Sequence, residues 1–197
     1  MKPMARREER LLGRYHVRAE MLRAHLAWAA KRFDDVVEAV RPHLDARSLE
    51  LVARPPSARS ATVSFRDLVT IDRALAAAVG GDPGPIYLAM GVHSARHHLK
   101  ALPKHYDPEL PHRFLESMSL VHRMFQNFGR SRYERHGRFS GRVRLEGYRE
   151  YSPVFCTSGQ GYYEEALRMM AVPGPIVVRE TACRCAGEPA CVFELSW

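Results

Sequence analysis

No stretch of this 197-residue chain approaches the ~20 consecutive apolar residues of a membrane-spanning helix. Residues 1–18 are basic, but Glu8 and Glu9 interrupt them and no apolar run follows, so they do not read as a secretory signal. Internal repeats and low-complexity tracts are absent. No cysteine occurs before position 156, and lysine is scarce. Signatures of catalysis are missing too. Gly80-Gly81-x-x-Gly84 lacks the Lys and Ser/Thr of a phosphate loop, Tyr162 and Tyr163 crowd the position after Gly159-x-Gly161, and nothing marks out a Ser-His-Asp set. These absences argue against a membrane span and against an enzyme, and they make a cytoplasmic protein the expectation.

What is present suits one globular core. The length is ample for one domain and short for two, and 46% hydrophobic with 26% charged residues is ordinary globular composition. Lys+Arg 30 against Asp+Glu 22 gives a net charge of +8. Part of the excess is local: residues 130–149 hold seven arginines against Glu134 and Glu146. No nucleic-acid motif accompanies the charge, so it reads as a solvated face and nucleic acid is not an expected partner.

Residues 1–14 read as a polar arm and 15–197 as a single domain. Within that domain, 15–129 are mainly helical and 130–197 alternate strand, helix and hairpin. Val17–Val40 reads as one or two helices ended by Pro42, and Leu44–Val52 as another. Ser64 offers an N-cap with Asp67 three residues on, followed by Phe65, Leu68, Ile71, Leu75 and Val79 at near-helical spacing. Ile86–Leu102 is helical up to Pro103. Phe114, Met118, Val121, Phe125 and Phe128 form a helical stripe closed by Gly129. The period then shifts to two: Val143 and Leu145 alternate with Arg142, Arg144 and Glu146, as do Phe193, Leu195 and Trp197 with their neighbours. Residues 159–171 read as a helix and Ile176–Val178 as a strand. The expected class is α+β, with N-terminal helices packed on a small antiparallel sheet.

All four cysteines lie late: Cys156, Cys183, Cys185 and Cys191, with Glu180 three positions before Cys183. A hairpin around Gly187 and Pro189 brings its shoulders together, and Cys156 arrives at the start of the preceding helix. Three thiolates and a carboxylate fill a tetrahedral shell. Spacing alone leaves three outcomes open: a metal site, buried free thiols, or a Cys183–Cys191 disulfide. Cys185 can compete for the site or simply pack.

The run Ser152-Pro153-Val154-Phe155-Cys156, then Ser158-Gly159-Gln160-Gly161-Tyr162, then Glu180-Thr181-Ala182-Cys183, Gly187 and Cys191 resembles the 4-vinyl-reductase-type small-molecule-binding domain. It is especially similar to the sensory domain of phenol- and toluene-responsive σ54 activators. The upstream helical order resembles standalone myxobacterial members of a superfamily related to haem-NO-binding and TRAPP-type domains. The resemblance implies a structural Zn²⁺ on Cys156, Glu180, Cys183 and Cys191 that clamps the C-terminal hairpin. It also implies an apolar ligand pocket, for which Phe114, Met118, Val121, Phe125, Tyr151, Phe155 and Tyr163 are the candidates by position. Ending at Trp197, without the ATPase and helix-turn-helix of those activators, such a chain is expected to be a dimeric, non-enzymatic sensor or adaptor. It would bind a small apolar or aromatic ligand and relay to a protein partner.

Two alternatives stand beside this reading. One is a structural interaction module without ligand. The other is a haem-binding sensor, for which a histidine would ligate iron although no Cys-x-x-Cys-His is present. His93, His97 and His98 sit on one helix, the first and second at i, i+4, but no Glu at position 94 supplies a metalloprotease base. His105, His112 and His122 follow, and His122 is expected to be solvated or near a cap.

Overall fold

A computed structural model describes residues 10–100, 107–172 and 174–197. The helical half is punctuated by short polar caps. The strand β1 (His16–Arg18) leads into α1 (Ala19–Ala29), followed by α2 (Val36–Val40), α3 (Ala46–Ala53), β2 (Thr62–Ser64), α4 (Phe65–Val79), α5 (Pro83–His98) and α6 (Leu110–Phe125). Asp35, Asp45, Ser64 and Asp82 each accept a hydrogen bond from a main-chain N–H in the first turn of α2, α3, α4 and α5. Such a cap satisfies a donor the helix cannot, and contributes about 1 kcal/mol. Ser64 accepts from the Asp67 N–H at 3.0 Å, the cap that the sequence announces.

The second half is β3 (Arg130–Gly137), β4 (Ser140–Glu146), α7 (Pro153–Met169), β5 (Val177–Ala182) and β6 (Cys191–Ser196). The four strands form one antiparallel sheet in the order β3-β4-β6-β5. The architecture is α+β, as expected. Along β4, Gly141, Val143 and Leu145 are buried while the intervening residues are only partly so, which is the period-2 signature of a sheet with one covered face. The arginines of the other face are largely held in ion pairs. Arg132 meets Glu146 at 2.5 Å and Arg142 meets Glu194 at 2.6 Å, so much of the local positive charge is balanced within the sheet. Among the described residues no helix is long and apolar enough to cross a membrane.

Four departures from the sequence reading have physical causes. The two-stranded ribbon β1–β2 was not anticipated, because three-residue strands are too short to show a period. Nor was β3, whose Arg-Ser-Arg-Tyr-Glu-Arg-His-Gly carries no apolar alternation and borrows its conformation from pairing with β4. Helix α7 starts at Pro153, six residues earlier than periodicity suggests, with Ser152 as its cap; Cys156 therefore lies in its first turn. The expected polar arm falls partly outside the described residues. Its part from Arg10 onward is engaged: Arg10 pairs with Tyr151, and the Arg14 N–H donates to the fully buried Glu150 at 2.7 Å.

Helices α5 and α7 cross with almost no space between their backbones. A Cβ on Gly91 would collide with the Ser158 carbonyl, and one on Gly161 with the Leu88 carbonyl. This crossing sets the distance between two walls of the cavity described next.

Candidate functional site

A cavity of about 690 Å³, counting its open mouth, lies between the helical half and the sheet. Each wall is a single helical face. Helix α1 supplies Met21 and His25, and α5 supplies Ser94 and His98, both at i, i+4. Helix α6 supplies Met118, Val121, His122 and Phe125, and α7 supplies Phe155, Ser158, Gly159, Tyr162 and Tyr163. Spacings of three and four put these side chains on one stripe of each helix. Leu145 of β4 closes the sheet side, and Gln126 lies at the end of α6.

Three imidazoles face this apolar space. His122 is buried, and burial pushes its pKa down to about 4, so the ring is neutral at pH 7. Its Nδ1 lies 3.1 Å from the Tyr148 hydroxyl, which also accepts from Gln126 Nε2 at 2.7 Å. Tyr148 is buried and its hydroxyl pKa is raised by that burial. The ring lies against Gly129 at φ +68, where a Cβ would overlap it. Only glycine suits that backbone and leaves the ring room. His98 is pushed down to about 4 by burial, with His97 adding to the effect. Its Nε2 is buried and has no hydrogen-bond partner. On α1, His25 Nδ1 lies 2.6 Å from the buried Asp72 carboxylate of α4. One ligand atom each of Glu20, His97 and His98 lies within 4.8 Å of the others at the outer edge of this wall.

These depressed histidines make a stability prediction. Each is neutral when folded and would take a proton near its ordinary ~6.5 when unfolded. The unfolded chain therefore binds more protons between pH 6.5 and 4. The stability is fully present above pH 6.5 and is lost as pH falls toward 4. For His122 this is on the order of 3 kcal/mol, or about 10 °C in Tm. Calorimetry from pH 7 to 4 should show a shallower decline for His122→Leu than for the natural chain.

The cysteines gather on the far side of α7. Cys156 Sγ lies 3.4 Å from Cys191 Sγ and 3.8 Å from Cys183 Sγ, and all four cysteines are buried free thiols. One ligand atom each of Cys156, Glu180, Cys183 and Cys191 lies within 4.8 Å of the other three. Hydrogen bonding with Cys156, then Cys185 and Cys191, holds the Cys183 thiol far below its usual pKa, while hydrogen bonding with Cys183, Cys185 and Cys191 holds Cys156 well above. The Arg184 main-chain N–H donates to Cys191 Sγ at 3.3 Å. The Arg184 side chain turns away, to the Glu188 carbonyl and over the Tyr151 ring. Cys185 is buried beside the group in the 3₁₀ turn Arg184–Ala186.

Of the seven pocket candidates, Met118, Val121, Phe125, Phe155 and Tyr163 line the cavity. Phe114 is buried one turn before Met118 and is not part of the lining, and Tyr151 faces Arg184 and the cysteine hairpin. His105 lies outside the described residues. His112 is buried between Tyr133, at 2.5 Å, and the Arg138 carbonyl, at 3.0 Å. Of the expectation that His122 is solvated or near a cap, only the second holds: it is buried, in the last turn of α6, where its carbonyl accepts from the C-cap Gln126 N–H. Position 122 is i+4 from Met118 and three before Phe125, so the same stripe that marks the core carries it inward. His25, Gln126, Tyr148 and Tyr162 also escaped the sequence reading. A polar residue in an apolar stripe is the signal that could have found His25 and His122.

No family model matches the chain, and no curated protein matches it. Solved structures do. A single-residue variant of the Fe(II) unliganded H-NOX protein from K. algicida superposes with a TM-score of 0.65 at 12% identity, covering 91% of this chain and 95% of that one. The S. oneidensis H-NOX protein in its Fe(II)NO state gives 0.66 at 11%, covering 91% and 98%. An oxygen complex of an oxygen-binding H-NOX domain related to soluble guanylate cyclases gives 0.62 at 12%, covering 90% and 92%. At such identity the likeness establishes the fold, across nearly the whole chain. It corrects the motif-based kinship with 4-vinyl-reductase-type domains, which rested on residues 138–197 and on a cysteine-glycine pattern that a local hairpin can impose by itself. It also overturns two expectations built on that kinship: structural Zn²⁺ as the cofactor, and an adaptor for an apolar ligand as the leading function. These neighbours are haem NO/oxygen-binding domains, and the zinc clamp on the hairpin is not shown.

Proposed function

We propose that this chain is a non-catalytic haem-binding gas-sensor domain. The observation that carries the reading is His122: a neutral imidazole lining an apolar cavity, with Nδ1 3.1 Å from the Tyr148 hydroxyl. A ring so tied through one nitrogen has the other aimed and ready for iron. The residues present fit the group. The lining is apolar, its Tyr and Phe rings suit a flat macrocycle, and the neighbouring cleft that shares Phe125 and Gln126 contains Arg18 and Arg123, which suit haem carboxylates. Haem bound here would supply an iron centre to which a diatomic gas can coordinate. The chain's own task is then to hold His122 through Tyr148, exclude water with Met118, Val121, Phe125 and Leu145, and pass any change at the cavity to α6 and α7.

A second reading concerns a separate place. The convergence of Cys156, Glu180, Cys183 and Cys191 supports a soft metal ion there, in addition to haem. Its role would be to fasten the first turn of α7, and so the wall carrying Phe155, Tyr162 and Tyr163, to the β5–β6 hairpin. Native mass spectrometry of the full chain, expressed with a haem precursor, tests both readings. The expected masses are one haem, matched by a Soret band, and one metal ion that survives haem removal. A chain that takes up no haemin overturns the first reading, and a chain free of additional metal overturns the second.

A further inference from the structure

The most pointed unexplained group in the molecule is His98. Its Nε2 is buried and takes no hydrogen bond. Its other nitrogen is accounted for: the Glu20 main chain acts on the ring by a hydrogen bond, which falls to Nδ1 because Nε2 has no partner. In the tautomer that donates from Nδ1 to this main chain, a lone pair is left on Nε2. Donation of one ring N–H to a backbone carbonyl, with the opposite nitrogen left open, is how metal-ligating histidines are oriented. Burial keeps the ring neutral, so the lone pair is available at pH 7.

The position of the ring completes the argument. His98 lies on α5, lines the cavity together with His122 of α6, and packs on Phe125 with centroids 5.0 Å apart. Phe125 is three residues after His122, on the same face of α6. His98 and His122 thus come from two different helices and line one and the same space. Tyr162 of α7 flanks His98 on another side.

Resting on the haem reading above, we propose that His98 is an internal sixth ligand: its Nε2 caps the iron on the face opposite His122, and an incoming gas must displace it. The iron is then six-coordinate and low-spin at rest. The affinity for an external ligand is reduced by the fraction of molecules in which His98 has swung away. Helix α5 becomes the element that moves when a gas binds, and its glycine-tight crossing with α7 carries that movement toward the cysteine hairpin.

The test uses the full chain loaded with haemin, and compares the natural protein with His98→Ala and His98→Gln. The natural protein should show low-spin six-coordinate spectra by electron paramagnetic resonance in the ferric state and resonance Raman in the ferrous state. Both variants should become high-spin, and carbon monoxide should bind them at least tenfold faster. A high-spin natural protein, or a low-spin state that persists in both variants, overturns the proposal while leaving haem binding intact. Failure of the natural chain to take up haemin overturns the haem reading and this proposal together.

Discussion

His122→Ala is expected to abolish a specific Soret band and to weaken haemin binding by more than about 100-fold. That exceeds the 10–100-fold typical of losing a group that merely supports a metal ligand. Tyr148→Phe should fall within that smaller range, because it removes the hydroxyl 3.1 Å from His122 Nδ1 and leaves the imidazole in place. The contrast between the two variants is the informative result. If the cavity only trapped haem as an apolar plate, His122→Ala would lose little, since the walls from α1, α5 and α7 would remain. The variant is also expected to fold. Alanine at this site removes a neutral ring whose protonation destabilises the fold, and it leaves Tyr148 its hydrogen bond with Gln126. Haemin titration followed by absorbance, with imidazole added back to the His122→Ala protein, measures the outcome. Recovery of the band with imidazole assigns the loss to the missing ligand and not to a collapsed cavity.

Gly91→Ala is expected to cost about 3 kcal/mol or more, near the upper end of what an overpacked core costs and equivalent to about 10 °C in Tm. The added methyl would meet the Ser158 carbonyl, a main-chain atom of α7 that cannot rotate away. Relief requires α5 and α7 to separate, and the cavity wall moves with them. Gly161→Ala should behave alike, since its Cβ meets the Leu88 carbonyl. Gly159→Ala is the control: it is helical and nothing lies within 4 Å of its Cβ. There the usual helix preference for alanine should appear, a gain of about 0.5–1 kcal/mol. Thermal unfolding of the three variants separates backbone contact from simple helix propensity.

Much of the helical half was legible because its signals are local. A capping Ser64, the Pro and Gly stops, and the stripe from Phe114 to Phe125 each describe a few adjacent residues. The final strands were legible for the same reason, since alternation needs only a buried face. Strand β3 was not, because Arg130–Gly137 is a strand by virtue of pairing with β4 and not by its own composition. The cysteine grouping was visible as spacing, and the side chains do meet. The kinship drawn from it was not sound, because one hairpin pattern over residues 138–197 says less than a superposition covering nine-tenths of the chain.

The cavity shows the division most clearly. Local periodicity by itself determined which residues of α6 turn inward, and so placed Met118, Val121 and Phe125 beside one another. It also determined that Cys156, Glu180, Cys183 and Cys191 would be near neighbours once a hairpin formed. Only the tertiary structure decided that His25, His98 and His122, on three helices far apart in the chain, would open onto one apolar space. The reason is that the charge state and free nitrogen of a histidine are not properties of its sequence neighbours. They follow from desolvation and from partners such as Tyr148 and the Glu20 main chain, which arrive only when the helices pack.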